Sequence, residues 1–255
     1  MSNRQKVVVV GMGEVGKPLL ELLSKSHDVI GVDITPPQQL PDRVDVLHIC
    51  YPFEIKDFLG ESERYINLFQ PEITIINSTV AVGTTRAVAE RTSAAVVNSP
   101  VRGKHVRMLE DMGKYSKFVG ALDAPAARKA AEHFASAGLK TTVLSCPEAT
   151  ELAKLTETTY FGVMIAWAQE VERYCDKVRA DYSEVTSFYD EIKFFPSIKY
   201  FPGVIGGHCV MPNIEILSKL DSSPMLTAIK SSNCAKINRD AQLAGGKAAS
   251  ASLKK

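Results

Sequence analysis

Lys6-Val7-Val8-Val9-Val10-Gly11-Met12-Gly13-Glu14-Val15-Gly16 is the stretch on which the reading of this chain turns. A β-branched apolar run predicts a strand over 6–10, and Val15, Leu19, Leu20, Leu22 and Leu23 repeat at helical spacing. Three glycines therefore fall on the turn between a strand and a helix. Asp28 to Asp33 reads as the next strand. Further short apolar strands are expected at 44–50, 73–77, 94–97, 118–122 and 141–144, with helical patterns at 54–68, 84–91 and 125–136. Nearly continuous apolar strands alternating with helices imply an α/β domain, a doubly wound and mostly parallel Rossmann-type sheet covered on both faces.

Beyond Pro147 the pattern changes. Leu152, Leu155, Thr159, Val163, Ile165, Trp167, Val171 and Tyr174 keep helical spacing to about Val178, interrupted only at Gly162. This predicts one helix of about 30 residues, about 45 Å long. Helices at 183–192, 213–219 and 225–240 and a Gly/Pro-rich loop at 196–212 are expected to follow. Residues 244–255, rich in Ala, Gly, Ser and Lys, have no apolar period and are expected to fray. The expected domains are a Rossmann domain at 1–146, an all-helical domain with a long central helix at 147–243, and a flexible tail at 244–255.

Composition narrows the function classes. With 255 residues, 45% hydrophobic, and 30 Lys+Arg against 29 Asp+Glu, the chain is an ordinary globular sequence with a formal net charge of +1. Nothing in that balance points to nucleic acid or an anionic membrane. No apolar stretch approaches the roughly 20 residues that span a bilayer, and the N-terminus reads straight into a strand, so a cytoplasmic protein is expected. Five scattered cysteines (Cys50, Cys146, Cys175, Cys209, Cys234) without a Cys-x-x-Cys pair disfavour a disulfide framework, and no metal site is expected.

Two segments carry candidate chemistry. In the strand-turn-helix context, Gly11 permits the tight turn, Gly13 admits a pyrophosphate to the backbone, and Gly16 allows close helix packing. Asp33, 22 residues after Gly11, is then positioned to accept hydrogen bonds from a ribose and to repel a 2′-phosphate, which favours NAD over NADP. A bare tight turn and a solvated strand-end acid are the alternatives. In Phe201-Pro202-Gly203-Val204-Ile205-Gly206-Gly207-His208-Cys209-Val210-Met211-Pro212, glycines around a His-Cys pair leave backbone N–H groups open and expose the thiol. Cys209 is the candidate nucleophile, with His208, Lys154 or the following helix N-terminus as activators. The alternative is a turn holding an incidental buried cysteine. Lys154, in Glu151-Leu152-Ala153-Lys154-Leu155, reads alone as a solvated surface residue.

Taken together, the N-terminal fingerprint, Ser78-Thr79-Val80-Ala81-Val82-Gly83-Thr84-Thr85, the helix with Glu151-Leu152-Ala153-Lys154-Leu155-Thr156-Glu157, and the Gly-Gly-His-Cys loop resemble the UDP-glucose/GDP-mannose dehydrogenase family, especially its UDP-N-acetylmannosamine dehydrogenase-like branch. The resemblance runs in order from residue 6 to about 240. It implies NAD as acceptor of two hydrides from a sugar alcohol, with Cys209 holding a thioester intermediate, Lys154 stabilising oxyanions, and Thr79 beside the nicotinamide and catalytic water. It further implies that Gly11, Met12, Gly13, Glu14, Val15, Gly16, Asp33, Ile34, Tyr51, Pro52, Ser78 and Thr79 line the cofactor. Lys154, Thr158, Gly203, Gly206 and Gly207 would face the substrate, His208 and Asn213 would accompany Cys209, and the long helix at 147–178 would form a homodimer. It carries more apolar surface (Tyr160, Phe161, Met164, Trp167) than a Rossmann unit of about 140 residues would cover, which suits that role.

Three positions depart from the family pattern. Val101 stands in Ser99-Pro100-Val101-Arg102 where the family has Glu, Thr158 replaces an Asn, and Asn213 replaces an Asp. Two carboxylates thus give way to groups that take no proton near pH 7, and thioester hydrolysis is the step affected. Family members also continue into a second α/β domain that grips the nucleotide, so the resemblance implies a chain lacking the C-terminal nucleotide-binding domain. The expected function is an NAD-dependent oxidoreductase acting on a sugar-like alcohol or aldehyde. Its rivals are a non-catalytic NAD-binding partner or regulator and a two-electron dehydrogenase of the hydroxyacid type.

Overall fold

The computed structural model describes residues 4–34, 41, 43–103, 105–192, 200–207, 209–220 and 222–252. The chain divides into two compact units, Met1–Lys154 and Leu155–Lys255.

The first unit is built on seven strands: β1 (Lys6–Val10), β2 (Asp28–Val32), β3 (Val46–Ile49), β4 (Ile73–Ile76), β5 (Val96–Asn98), β6 (Lys117–Ala121) and β7 (Thr141–Leu144). They lie in the order β2-β1-β3-β4-β5-β6-β7. Neighbours are parallel except β5 and β6, which run antiparallel with Val97 opposite Ala121. Alternate side chains bury on opposite faces. Val7, Val9, Val46, Ile75, Val97 and Val119 pack with Leu19, Leu23 and Phe134, whereas Val8, Val10, Leu47, Ile49 and Ile76 pack with Phe58, Tyr65, Ile66 and Val88. The covering helices are α1 (Gly16–Leu23), α2 (Phe58–Phe69), α3 (Thr84–Thr92), α4 (Met108–Lys114) and α5 (Ala124–Ser136). Asp57 and Asp123 start α2 and α5 by accepting from Gly60 N at 2.8 Å and Ala126 N at 2.7 Å. Because β1 lies between β2 and β3, the order reverses there and leaves a crevice at the strands' carboxyl ends, where open α/β sheets bind ligands.

Helix α6 (Pro147–Val178) has 32 residues, and the boundary between the units falls inside it, after Lys154 rather than at the expected 146. The second unit continues with α7 (Tyr182–Ser187), α8 (Val210–Ser218) and α9 (Pro224–Ser252). Ala166, Ile205, Val210, Ile214, Leu226 and Ile229 form its core. The break in apolar spacing at Gly162 has a packing cause: a Cβ there would lie 2.8 Å from Val210 Cγ1, so glycine lets α8 approach α6.

Several expected bounds are corrected. Helix α4 was not foreseen, because its seven residues are too few to display an amphipathic period. Helix α7 ends at Ser187, with residues 188–191 in turns, rather than at 192. Helix α9 runs to Ser252, so the segment read as a fraying tail from 244 is helical almost to its end. Alanine is the strongest helix former and needs no buried face to extend a helix already begun.

Candidate functional site

The glycine turn after β1 is dictated by close backbone contacts. Gly11 has φ +93°, and a Cβ on it would lie 2.6 Å from Tyr51 N. A Cβ on Gly16 would lie 1.9 Å from Gly11 O. Gly13 is exposed with nothing within 4 Å of its Cβ position, so the turn is crowded inward and open outward. Val15 caps α1 with no side-chain hydrogen bond; Lys17 N donates to Gly13 O at 3.2 Å, Leu19 N to Val15 O at 3.1 Å and Pro18 has no N–H, so an anion here would be met by the glycine turn and Gly16 rather than by the whole first turn. Met12 packs its sulfur where a Cβ on Gly31 of β2 would stand, 2.6 Å away, and Glu14 is exposed. Asp33 and Ile34 follow β2 on the surface, and Tyr65 Oη donates to Asp33 O at 3.2 Å. An open glycine, an uncapped helix start and an exposed strand-end carboxylate together fit a dinucleotide.

Tyr51 and Ser78 knit the neighbouring strand ends. The Tyr51 hydroxyl lies 2.8 Å from Ser62 Oγ and burial pushes its pKa up, while Ser78 Oγ donates to Tyr51 O at 2.6 Å. Pro52 is exposed and Thr79 half-buried. Helix α3 starts at Gly83, in the left-handed region with no cap of its own. Its cap comes from α6: Glu151, 1% exposed, accepts from Gly83 N at 2.7 Å, Thr85 N at 2.8 Å and Thr85 Oγ1 at 2.6 Å. Burial raises the Glu151 pKa, and these hydrogen bonds oppose the rise. The loop bearing Thr79 is thereby fastened to the turn of α6 that bears Lys154, which is half-buried.

A buried polar chain runs beneath the same strand ends, unforeseen from sequence. The Lys117 ammonium, in a residue only 5% exposed, donates to Ser99 O at 2.7 Å and Asn77 Oδ1 at 3.3 Å. Asn77 Nδ2 lies 3.0 Å from His48 Nδ1, His48 Nε2 lies 2.9 Å from His133 Nε2, and His133 Nδ1 lies 2.7 Å from Gln5 Oε1. The amide N–H fixes the tautomers: His48 carries its proton on Nε2 and His133 on Nδ1, so every bond points away from Lys117. Burial brings Lys117 down to about 7, partly offset by Cys50 and reinforced by Lys154. Burial also takes His133 to about 3, holds His48 well below its ordinary value, and pushes the Cys50 thiol up to about 12. Val101, at the position of the family's Glu, is buried in the apolar core, and Arg102 stands over the rings of Tyr115 and Phe118.

The second unit holds the remaining candidates. Cys209 is exposed and is the N-cap of α8, again without a side-chain cap, so the incidental buried cysteine is ruled out. Gly203 is half-buried, and Gly206 and Gly207 are exposed with open space at their Cβ positions; Gly207 has φ +76°. His208 lies outside the described residues. Two of the departing positions meet: Asn213, on the first turn of α8, donates through Nδ2 to Thr158 Oγ1 at 2.9 Å, and Thr158 Oγ1 donates to Leu155 O at 3.1 Å. Among the described residues no group of three His, Cys, Asp or Glu side chains is arranged to hold a metal, and no helix is long and apolar enough to cross a membrane.

Fold and site define a chain with a dinucleotide-type turn on a Rossmann sheet, followed by a helical unit with an exposed cysteine. Residues 148–240 match the model of the UDP-glucose/GDP-mannose dehydrogenase family, central domain. A UDP-N-acetyl-D-mannosamine dehydrogenase of Methanocaldococcus jannaschii is 25% identical over 255 aligned positions, covering 81% of this chain and 60% of that protein. The chain thus spans under two thirds of that relative's length. The UDP-D-ManNAc dehydrogenase structure from Pyrococcus horikoshii shares the fold with a TM-score of 0.77 at 21% identity, over 94% of this chain and 70% of that one. The Mycobacterium tuberculosis 3-hydroxyisobutyrate dehydrogenase structure shares it with a TM-score of 0.69 at 14% identity, over 94% of both chains.

Proposed function

We propose that this chain is an NAD-dependent oxidoreductase of the nucleotide-sugar dehydrogenase type, acting on a sugar-like alcohol or aldehyde. The observation that carries the proposal is an exposed Cys209 at the start of α8, on a glycine loop inside the region matching the family's central domain. Gly11, Met12, Gly13, Glu14, Val15 and Gly16 hold the pyrophosphate and Asp33 the ribose, with Ile34, Tyr51, Pro52, Ser78 and Thr79 completing the cofactor site. Hydride acceptance is the chemistry that NAD would supply when bound there.

The chain's own residues do the rest. Cys209 adds its sulfur to an aldehyde carbon to form a thiohemiacetal, and the Lys154 ammonium stabilises the oxyanion that develops. His208, Thr158, Gly203, Gly206 and Gly207 accompany Cys209 and the substrate. Asn213 keeps its amide bonded to Thr158 and takes no proton, so acid release is slow. A homodimer through the 147–178 helix belongs to the same reading, supported by exposed Tyr160, Trp167 and Tyr174 at seven-residue spacing. So does a cytoplasmic setting, supported by five free cysteines.

One observation favours a second reading, a two-electron dehydrogenase of the hydroxyacid type: Val101 is buried and Asn213 is amide-bonded, so neither serves as a base for hydrolysis. Incubation with NAD and sugar alcohols, aldehydes and nucleotide sugars, following reduced cofactor, separates the two. Two equivalents per alcohol support the first, and one per alcohol supports the second. None with any substrate leaves a non-catalytic NAD-binding partner or regulator.

A further inference from the structure

Residues 200–207 belong to no helix or strand, so their buried backbone groups need partners from side chains. Two helices supply them. Asn233 of α9, 4% exposed, accepts from Ile205 N through Oδ1 at 2.7 Å and donates to Ile205 O through Nδ2 at 3.0 Å. Gln169 of α6, fully buried, donates through Nε2 to Gly203 O at 2.8 Å and also to Asn233 Oδ1 at 3.3 Å. Ser232 Oγ in turn donates to Gln169 Oε1 at 3.0 Å, which orients the glutamine amide, and receives Arg173 Nη2 at 2.9 Å.

Only a primary amide meets both polar groups of one residue in this way, as an adjacent strand would. The result is a chain segment anchored on either side of Cys209. Ile205 is clamped and buried, and Val210 is buried at the start of α8. Between them Gly206, Gly207 and Cys209 are exposed, with nothing within 4 Å of either glycine's Cβ position. Four residues between two anchors leave the thiol little freedom, whereas loss of the Ile205 anchor lengthens the free segment and lets the sulfur wander.

We propose that Asn233, supported by Gln169, is a positioning residue for Cys209: it acts through the Ile205 backbone to fix the segment that carries the nucleophile. This rests on the assignment of Cys209 as nucleophile. The hydrogen bonds of Asn233 go to Ile205 and Gln169 in its own unit, so its removal should lower kcat and leave the KM for NAD unchanged.

The test compares wild type with Asn233→Ala and the isosteric Asn233→Asp, which still accepts from Ile205 N but sets a carboxylate oxygen against Ile205 O. Hydrogen exchange is measured on each full-length chain, with far-UV circular dichroism to establish that it folds. Expected are amide exchange over 203–210 at least tenfold faster in Asn233→Ala, a fall in kcat of at least tenfold, and an unchanged KM for NAD. Relative to wild type at the same pH, Asn233→Asp should exchange alike at low pH, where a protonated carboxyl donates to Ile205 O, and progressively faster as it ionises. Unchanged exchange over 203–210 in both folded variants overturns the clamp, whether or not the protein turns over. Faster exchange with undiminished kcat overturns the positioning role. Faster exchange in a wild-type background that lacks turnover keeps the clamp and removes the catalytic assignment of Cys209 instead. Should neither variant fold, Gln169→Glu, which withdraws the donor from Gly203 O, gives the same three readouts.

Discussion

Glu151 caps a helix to which it does not belong: its carboxylate, at the start of α6, takes both the backbone N–H and the hydroxyl of Thr85 on the first turn of α3, 66 residues earlier. A negative charge at a helix N-terminus is favourable, and here it also joins the β4 loop to the helix bearing Lys154. Glu151→Ala leaves Gly83 and Thr85 donors without a partner in a buried place. A loss of about 2–4 kcal/mol in urea-unfolding free energy is expected. Thr85→Val, which removes only the hydroxyl bond, should cost about 1 kcal/mol.

The glycine turn separates packing from binding. Gly16→Ala drives a methyl group into Gly11 O and should cost several kcal/mol of stability. Gly13→Ala meets no protein atom and should fold like wild type, yet weaken NAD about tenfold by standing where the phosphate approaches. Calorimetric titration with both variants checks this, and equal NAD affinity for Gly13→Ala and wild type counts against the turn as the pyrophosphate site.

Buried bases make stability depend on pH with a definite sign. His133 titrates near 6.5 unfolded but near 3 folded, and His48 and His27 are lowered too, so below about 6.5 the unfolded chain binds more protons and stability falls as pH falls toward 3. Lys117, lowered from 10.5 to about 7, adds a rise in stability with pH between those values, at most about 1.4 kcal/mol per pH unit. Urea unfolding from pH 7 to 10 should show that rise in wild type and not in Lys117→Met. An identical slope in both places the titration elsewhere.

Much of the Rossmann unit was legible because local signals agree there. Val7–Val10, the three glycines and the spacing of Leu19, Leu22 and Leu23 each point to the same strand-turn-helix, and Gly162 marked the place where α8 presses on α6. What escaped depended on distant pairing. The reversal between β5 and β6 leaves no mark in two short apolar runs, and Lys117 reads as a surface lysine until the fold brings Asn77 and Ser99 to it. Glu151 sat in a quoted motif, but its partners lie in a helix far away in sequence. Asn233 had no signal of its own, being one polar residue in a helix of mixed composition. Thr158 and Asn213, read as two separate departures, meet in the fold through one hydrogen bond.

That contact bears on acid release. Asn213→Asp replaces the amide donor to Thr158 Oγ1 by a carboxylate, toward which the Thr158 hydroxyl must turn from Leu155 O, and provides a base, so hydrolysis of an acyl-enzyme should quicken at least tenfold. Val101→Glu restores the other family residue but puts a carboxylate among Val97, Val119 and Phe134, and should destabilise the fold by several kcal/mol. Single-turnover kinetics on Asn213→Asp, and thermal melting on Val101→Glu, check the two halves.

Intact-protein and peptide mass spectrometry on the chain, quenched during the first turnovers with NAD and an aldehyde or alcohol substrate, tests the central claim most directly. The account predicts a burst of reduced cofactor equal to the enzyme concentration with an aldehyde and twice that with an alcohol, and an acyl group on the peptide containing Cys209, absent in Cys209→Ser. Full turnover by Cys209→Ala with no acyl adduct on the wild-type chain would contradict it.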